Sequence, residues 1–198
     1  MQSIYFYREE RDGATVLQLC SEDGTNRLSR ACVQALTSDI ETLADSSKPL
    51  IITGNQHFFS AGADLNEITR LGADAFDFAL MGQRLMRAVD DFPAPVCAAV
   101  HGYAMGGGLD LVLACDMRIA HPHAIFGHRG AALGLITGWG GTQRLPRLVG
   151  RAKALEMFIA AEKLTAAKAL EVGLVSAVVD DPVQTALELL CLPRSNQP

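Results

Sequence analysis

Two glycine-rich bends, each placed after a short β-favouring apolar run, limit most strongly how this chain can fold. The first, Phe59-Ser60-Ala61-Gly62-Ala63-Asp64, comes after residues 49–53. The second, His101-Gly102-Tyr103-Ala104-Met105-Gly106-Gly107-Gly108-Leu109-Asp110, follows residues 95–100. Small residues let backbone N–H groups approach a ligand that side chains would obstruct. Two such bends can aim two N–H donors at one oxygen, the layout that stabilises an enolate or a tetrahedral oxyanion. Gly107 also opens a helical pattern, where unpaired N–H groups and the helix dipole favour an anion.

Around the bends, strand-length apolar runs alternate with helical spacing. Residues 14–19 and 49–53 are of the first kind, whereas 30–44 carries Val33, Leu36, Ile40 and Leu43 at helical intervals. A second helical pattern covers 73–89 through Phe76, Leu80, Leu85 and Val89, and Pro93 and Pro95 end it. Further strands are expected at 96–100, 117–120 and 124–126, and helices at 107–115, 141–149 and 152–160. Thr165 suits an N-cap, Gly173 a helix stop, and 174–179 a returning strand. This alternation predicts an α/β fold. With 198 residues, 49% apolar and 20% charged, the chain suits one domain, expected over 1–192 with a loose tail at 193–198.

Composition excludes several functions. The net charge of −5, without a Lys or Arg block, argues against nucleic acid and acidic membrane surfaces as principal partners. Five cysteines without a Cys-x-x-Cys pair read as reduced core thiols. His121, His123 and His128 have the spacing of no common metal site, so no metal is expected. The N-terminal ten residues meet charge before any signal-length apolar segment, so the expected location is cytoplasmic. The charge-free run 92–109 holds two prolines and several glycines, which spoils it as a membrane helix. Gly106-Gly107-Gly108 lacks the Lys-Ser/Thr of a P-loop, and without a Gly-x-Ser-x-Gly elbow Ser60 is no hydrolase nucleophile.

Three further pieces accompany the bends: Asn26-Arg27-Leu28-Ser29, Ala114-Cys115-Asp116 and Gly140-Gly141-Thr142-Gln143-Arg144-Leu145. In this order and spacing they resemble the crotonase (enoyl-CoA hydratase/isomerase) superfamily over about residues 16–179. The resemblance implies a ClpP/crotonase-like spiral of ββα units, with the family's C-terminal helical portion reduced to residues 183–190. It implies an acyl-CoA thioester partner, coenzyme A present only as part of the substrate, no permanent cofactor, and a homo-oligomer, a trimer or dimer of trimers. It places the oxyanion donors on the N–H groups of Ala63 and Gly107. Coenzyme A would lie against Asn26, Arg27, Leu28 and Ala61, with Asp64 shaping the turn. Leu65, Met105, Gly106, His128, Gly130 and Trp139 would line the acyl pocket.

Asp110 lies three residues after Gly107, on the same helical side one turn along. By resemblance it matches a catalytic glutamate of the hydratases, shortened by one methylene. Gly130 occupies the place of the second glutamate. Hydration works best when one group activates water and another protonates the α carbon. The residues therefore leave open an enoyl-CoA hydratase (a lyase), an isomerase, a decarboxylase, a hydrolase, or a non-catalytic acyl-CoA-binding subunit. His128 and Arg129 can hold a carboxylate, position water or relay a proton, although His128 reads first as a hydrogen-bonded strand-end residue. Trp139 suits either a pocket wall or core packing. His57 and His101 read as loop-orienting, and Asp116 with Arg118 as a fold-stabilising polar pair.

Overall fold

In the computed structural model, residues 3–71, 75–128 and 130–191 are described. The chain enters through a hairpin: β1 (Phe6–Arg11) pairs antiparallel with β2 (Ala14–Leu19). Asp12 and Gly13 between them both have positive φ, 51° and 90°, as a two-residue type I′ turn requires. After β3 (Arg27–Leu28), Ser29 caps α1 (Arg30–Leu43) by accepting the Cys32 N–H at 3.2 Å.

A repeating unit then begins. β4 (Leu50–Thr53) and β5 (Phe58–Ser60) lead through β6 (Gly62–Ala63) into α2 (Leu65–Leu71) and α3 (Ala75–Asp90). β7 (Val96–Val100) and β8 (Tyr103–Met105) lead into α4 (Gly107–Ala114). β9 (Met117–Ala120) and β10 (Ile125–Gly127) precede α5 (Gly141–Val149) and α6 (Arg151–Ile159). The chain finishes with β11 (Lys163–Thr165), α7 (Ala166–Glu171), β12 (Ala177–Val178) and α8 (Pro182–Cys191).

The first strand of each unit joins a six-stranded sheet of order β1-β2-β4-β7-β9-β12, parallel except for the hairpin. The second strand joins a four-stranded sheet of order β11-β10-β8-β5, in which only β10 and β11 run antiparallel. β3 and β6 form a separate short parallel pair. Strand, strand, helix repeated in this way is the spiral of ββα units that the resemblance implies. Because β5 and β8 are neighbours, the two glycine bends that leave them come out side by side.

Strand alternation divides the core. Leu50, Ile52, Val96, Ala98 and Val100 join one apolar cluster with α1 and α3, while Ile51, Cys97, Ala99 and Ile119 join another with Ala186 and Leu187 of α8. The expected C-terminal segment thus forms a helix that seals the face of the sheet opposite the first cluster. The strand expected at 174–179 shrinks to β12. Leu174 and Val175 instead donate their amides to Ala169 O at 2.8 and 3.3 Å, ending α7 with both side chains in the core. Asp116 accepts the Val96 N–H, Arg118 donates to Cys115 O and Leu174 O, and the Asp116 charge acts favourably on Arg118. The tail at 193–198 lies outside the described residues. Among the described residues, no helix is long and apolar enough to cross a membrane.

Candidate active site

The two bends touch. Gly62 has φ +89°, and a Cβ there would collide with Met105 O and come 2.9 Å from Gly107 N. A Cβ on Gly107 would lie 3.3 Å from Ala63 N. Only glycine at both positions permits this approach. The amides on either side of Ala63 are engaged: Gly62 N–H donates to Ser60 Oγ (3.0 Å) and Asp64 N–H to Leu28 O (3.3 Å). Gly107 is the first residue of α4, and its N–H is one of the four that a helix leaves without an internal acceptor. Ala63 and Gly107 both line one cavity of about 660 Å³.

Trp139 fixes this geometry. Its indole is 5% exposed and meets Phe78 edge-on at 5.3 Å between ring centroids. It occupies the space a Cβ would need on both Gly82 of α3 and Gly107 of α4. The residue is thus pocket wall and core at once.

Asp110 is 1% exposed and lies at the cavity floor, one helical turn beyond Gly107. Thr137 Oγ1 donates a hydrogen bond to its Oδ2, and the Gly141 amide is also close. On the other side, His128 Nε2 approaches Asp110 Oδ1 to 3.4 Å, without the alignment of a hydrogen bond, so both atoms lack a partner. Gly141 permits this cluster, since a Cβ there would collide with Asp110 Oδ1 and lie 2.9 Å from His128 Nε2. Burial pushes the Asp110 carboxyl up to about 7, against the opposing effects of Thr137, the Arg144 charge and the Gly141 amide. Burial pushes the His128 imidazole down to about 4. Between those values a neutral acid faces a neutral imidazole. His128 follows β10 directly, and its Nε2 has no hydrogen-bond partner.

All of Leu65, Met105, Gly106, His128, Gly130 and Trp139 line the cavity with Ala63, Gly107 and Asp110. Of the residues expected against coenzyme A, Ala61 lines it too. Two others are corrected. The Asn26 side chain is buried and donates to Phe58 O and Phe59 O, holding β5 in place. Leu28 is wholly buried in the core. In that loop Arg27, paired with Asp23 at 3.2 Å, is exposed and Ser29 partly so. Asp64 shapes its turn as expected, Oδ1 accepting the Asn66 N–H at 2.9 Å. Ser60 Oγ is consumed internally, donating to Asn26 O at 2.7 Å. Arg129 lies outside the described residues.

At Gly130 the structure explains the missing carboxylate. A Cβ there would come 2.6 Å from Leu135 O, because Leu135 N–H folds back onto Gly130 O at 2.8 Å. Sequence reasoning missed Thr137, which sits in a glycine-punctuated loop without periodicity. It also missed Tyr103 and Lys163, whose ammonium lies 5.7 Å from the Tyr103 ring centroid, both lining the cavity.

A largely apolar cavity, walled by two abutting glycine bends and floored by one buried acid, marks an α/β protein of the ββα-spiral class. The profile of the enoyl-CoA hydratase/isomerase family matches residues 9–191, and the chain belongs to that family. It is 43% identical over 163 residues to a Bacillus subtilis protein named "Probable enoyl-CoA hydratase", a match covering 80% of this chain and 63% of that one. It is 37% identical over 182 residues to the crotonyl-CoA hydratase of Syntrophomonas wolfei, covering 90% of this chain and 69% of that protein. The chain therefore spans less than two thirds of the first relative's length. Among solved structures, the enoyl-CoA hydratase from Bacillus anthracis superposes with a TM-score of 0.90 at 34% identity, covering 94% of this chain and 75% of that one.

Proposed function

We propose that the protein processes acyl-CoA thioesters as an enzyme of the enoyl-CoA hydratase/isomerase type. The thioester carbonyl would sit against the N–H groups of Ala63 and Gly107, which stabilise the enolate as charge develops on oxygen. Each such donor is worth about 3–4 kcal/mol in a transition state. Asp110, one turn along α4, would move protons at the α and β carbons, a role worth about 10²–10⁴-fold in rate. The acyl group would lie between Trp139, Phe78 and Ile68, which line the cavity. Coenzyme A would pass Ala61 and Asp64 toward Arg27, and the reaction needs no other cofactor.

The observation that carries this reading is the contact between the bends, with Asp110 on the floor of the same cavity. The test is turnover of a short enoyl-CoA by the wild type and by Asp110→Asn. Loss of at least a hundredfold in kcat with binding retained supports the assignment; unchanged turnover removes Asp110 from it. The close approach of Leu135 O to Gly130 favours a second reading on the same scaffold, decarboxylation, which requires the fewest acid/base groups. Offering the matching β,γ-enoyl and malonyl-type thioesters separates these. Tight thioester binding with no turnover of any of them would instead identify a non-catalytic acyl-CoA-binding subunit. The proposal includes self-association, supported by the exposed apolar Phe76 (70%) and Ile136 (72%), and a cytoplasmic setting. Light scattering tests the first and fractionation the second.

A further inference from the structure

Asp110 Oδ1 and His128 Nε2 are two buried polar atoms without partners, facing each other at 3.4 Å. Buried polar groups are nearly always satisfied, and each unmet one is destabilising. One proton placed between these two, with a small rotation of the ring, would satisfy both. The chain preserves the arrangement through Gly141, whose missing side chain leaves the carboxyl and the imidazole their room. The backbone at Leu135 meanwhile crowds the place where a second carboxylate would stand.

We propose that His128 is the proton-relay partner of Asp110, acting through it in place of a second acid; for turnover this rests on the acyl-thioester reading. In the resting site Asp110 carries the proton and Nε2 is a free acceptor. Asp110 passes its proton to Nε2 and becomes a carboxylate. That carboxylate takes a proton from water as the water oxygen bonds to the β carbon, and the electron pair of the double bond moves into the enolate. The enolate α carbon then takes the proton from Asp110, and the imidazolium returns its own. One water is added and the pair is restored. His128 touches neither reacting carbon and is a positioning residue.

Among the described residues, the groups facing the pair are Thr137, the Gly141 amide and the Arg144 charge of α5 on the Asp110 side, and the Phe158 ring of α6 on the His128 side. Lys163 of β11 lines the same cavity. None of these is a second proton acceptor within the pair. Without the relay, only the fraction of Asp110 already ionised can begin the reaction.

The test compares the wild type with His128→Gln, following kcat/KM for a short enoyl-CoA from pH 5 to 8. The negative charge left on Asp110 favours the imidazolium beside it, so the wild type is expected to fall less steeply below neutrality than the variant, which falls about tenfold per pH unit below about 7. Identical profiles overturn the relay. A second measurement needs no turnover: the ¹⁵N shift of His128 Nε2, titrated in the wild type and in Asp110→Asn. An inflection near pH 7 that disappears in Asp110→Asn supports the shared proton, and its absence from the wild type overturns it. An inflection without turnover of any thioester leaves the pair standing and refutes the acyl-CoA reading instead.

Discussion

Replacing Asp110 by asparagine should stabilise the protein above neutral pH while removing its chemistry. The carboxyl titrates at about 7 in the folded chain against 3.8 when unfolded, because burial penalises the charge. Between pH 3.8 and 7 the folded state holds the extra proton, so Asp110 supports stability at low pH and withdraws that support as pH rises through 7. The whole difference is about 4 kcal/mol, of which about 2–3 fall between pH 5 and 8. Asparagine has the same shape and no such titration. Its amide can donate to His128 Nε2 while its carbonyl accepts from Thr137, so the partnerless atoms are satisfied as well. Urea unfolding of both proteins at pH 5, 6, 7 and 8 measures the difference. The variant's advantage should widen by about 2–3 kcal/mol across that range, or about 5–10 °C in Tm for a chain of this size. The His128 contribution, present in both proteins, runs the other way: its lowered pKa costs stability as pH falls from 6.5 toward 4. An advantage that stays constant, or that shrinks with rising pH, would refute the buried neutral acid.

Two other substitutions probe the same wall and floor. Gly82→Ala places a methyl where the Trp139 indole lies; unfolding should show a loss of about 1–3 kcal/mol, and kcat/KM should fall because Trp139 also braces Gly107. Thr137→Val removes a hydroxyl that lowers the Asp110 pKa, so a ¹³C-carboxyl titration should move above the wild-type midpoint, and a downward move would contradict the assigned donor.

Much of this was legible in the sequence wherever a period or a dipeptide signal exists. The helix through Val33, Leu36, Ile40 and Leu43 is α1, and the apolar runs at 14–19 and 96–100 are β2 and β7. Of the second sheet only β10, expected at 124–126, was legible; β5, β8 and β11 are three residues each and too short to show alternation. β1 was missed because Phe-Tyr-Arg-Glu-Glu-Arg is a largely exposed edge strand. Within the site, the residues lining the cavity followed from the bends and the resemblance. Asn26 and Leu28 did not, because no motif distinguishes a side chain that holds a loop together from one that meets a ligand. Thr137 was invisible for a related reason: its partner Asp110 is 27 residues away, and only the fold brings them together.

The central claim is that the Ala63 and Gly107 amides polarise one ligand carbonyl. Difference infrared spectroscopy of a thioester labelled with ¹³C at that carbonyl, bound stoichiometrically to the wild type, measures this directly. The account predicts a carbonyl stretch moved to lower frequency than in water. A bound ligand whose carbonyl absorbs at its solution frequency, or above it, would contradict the account.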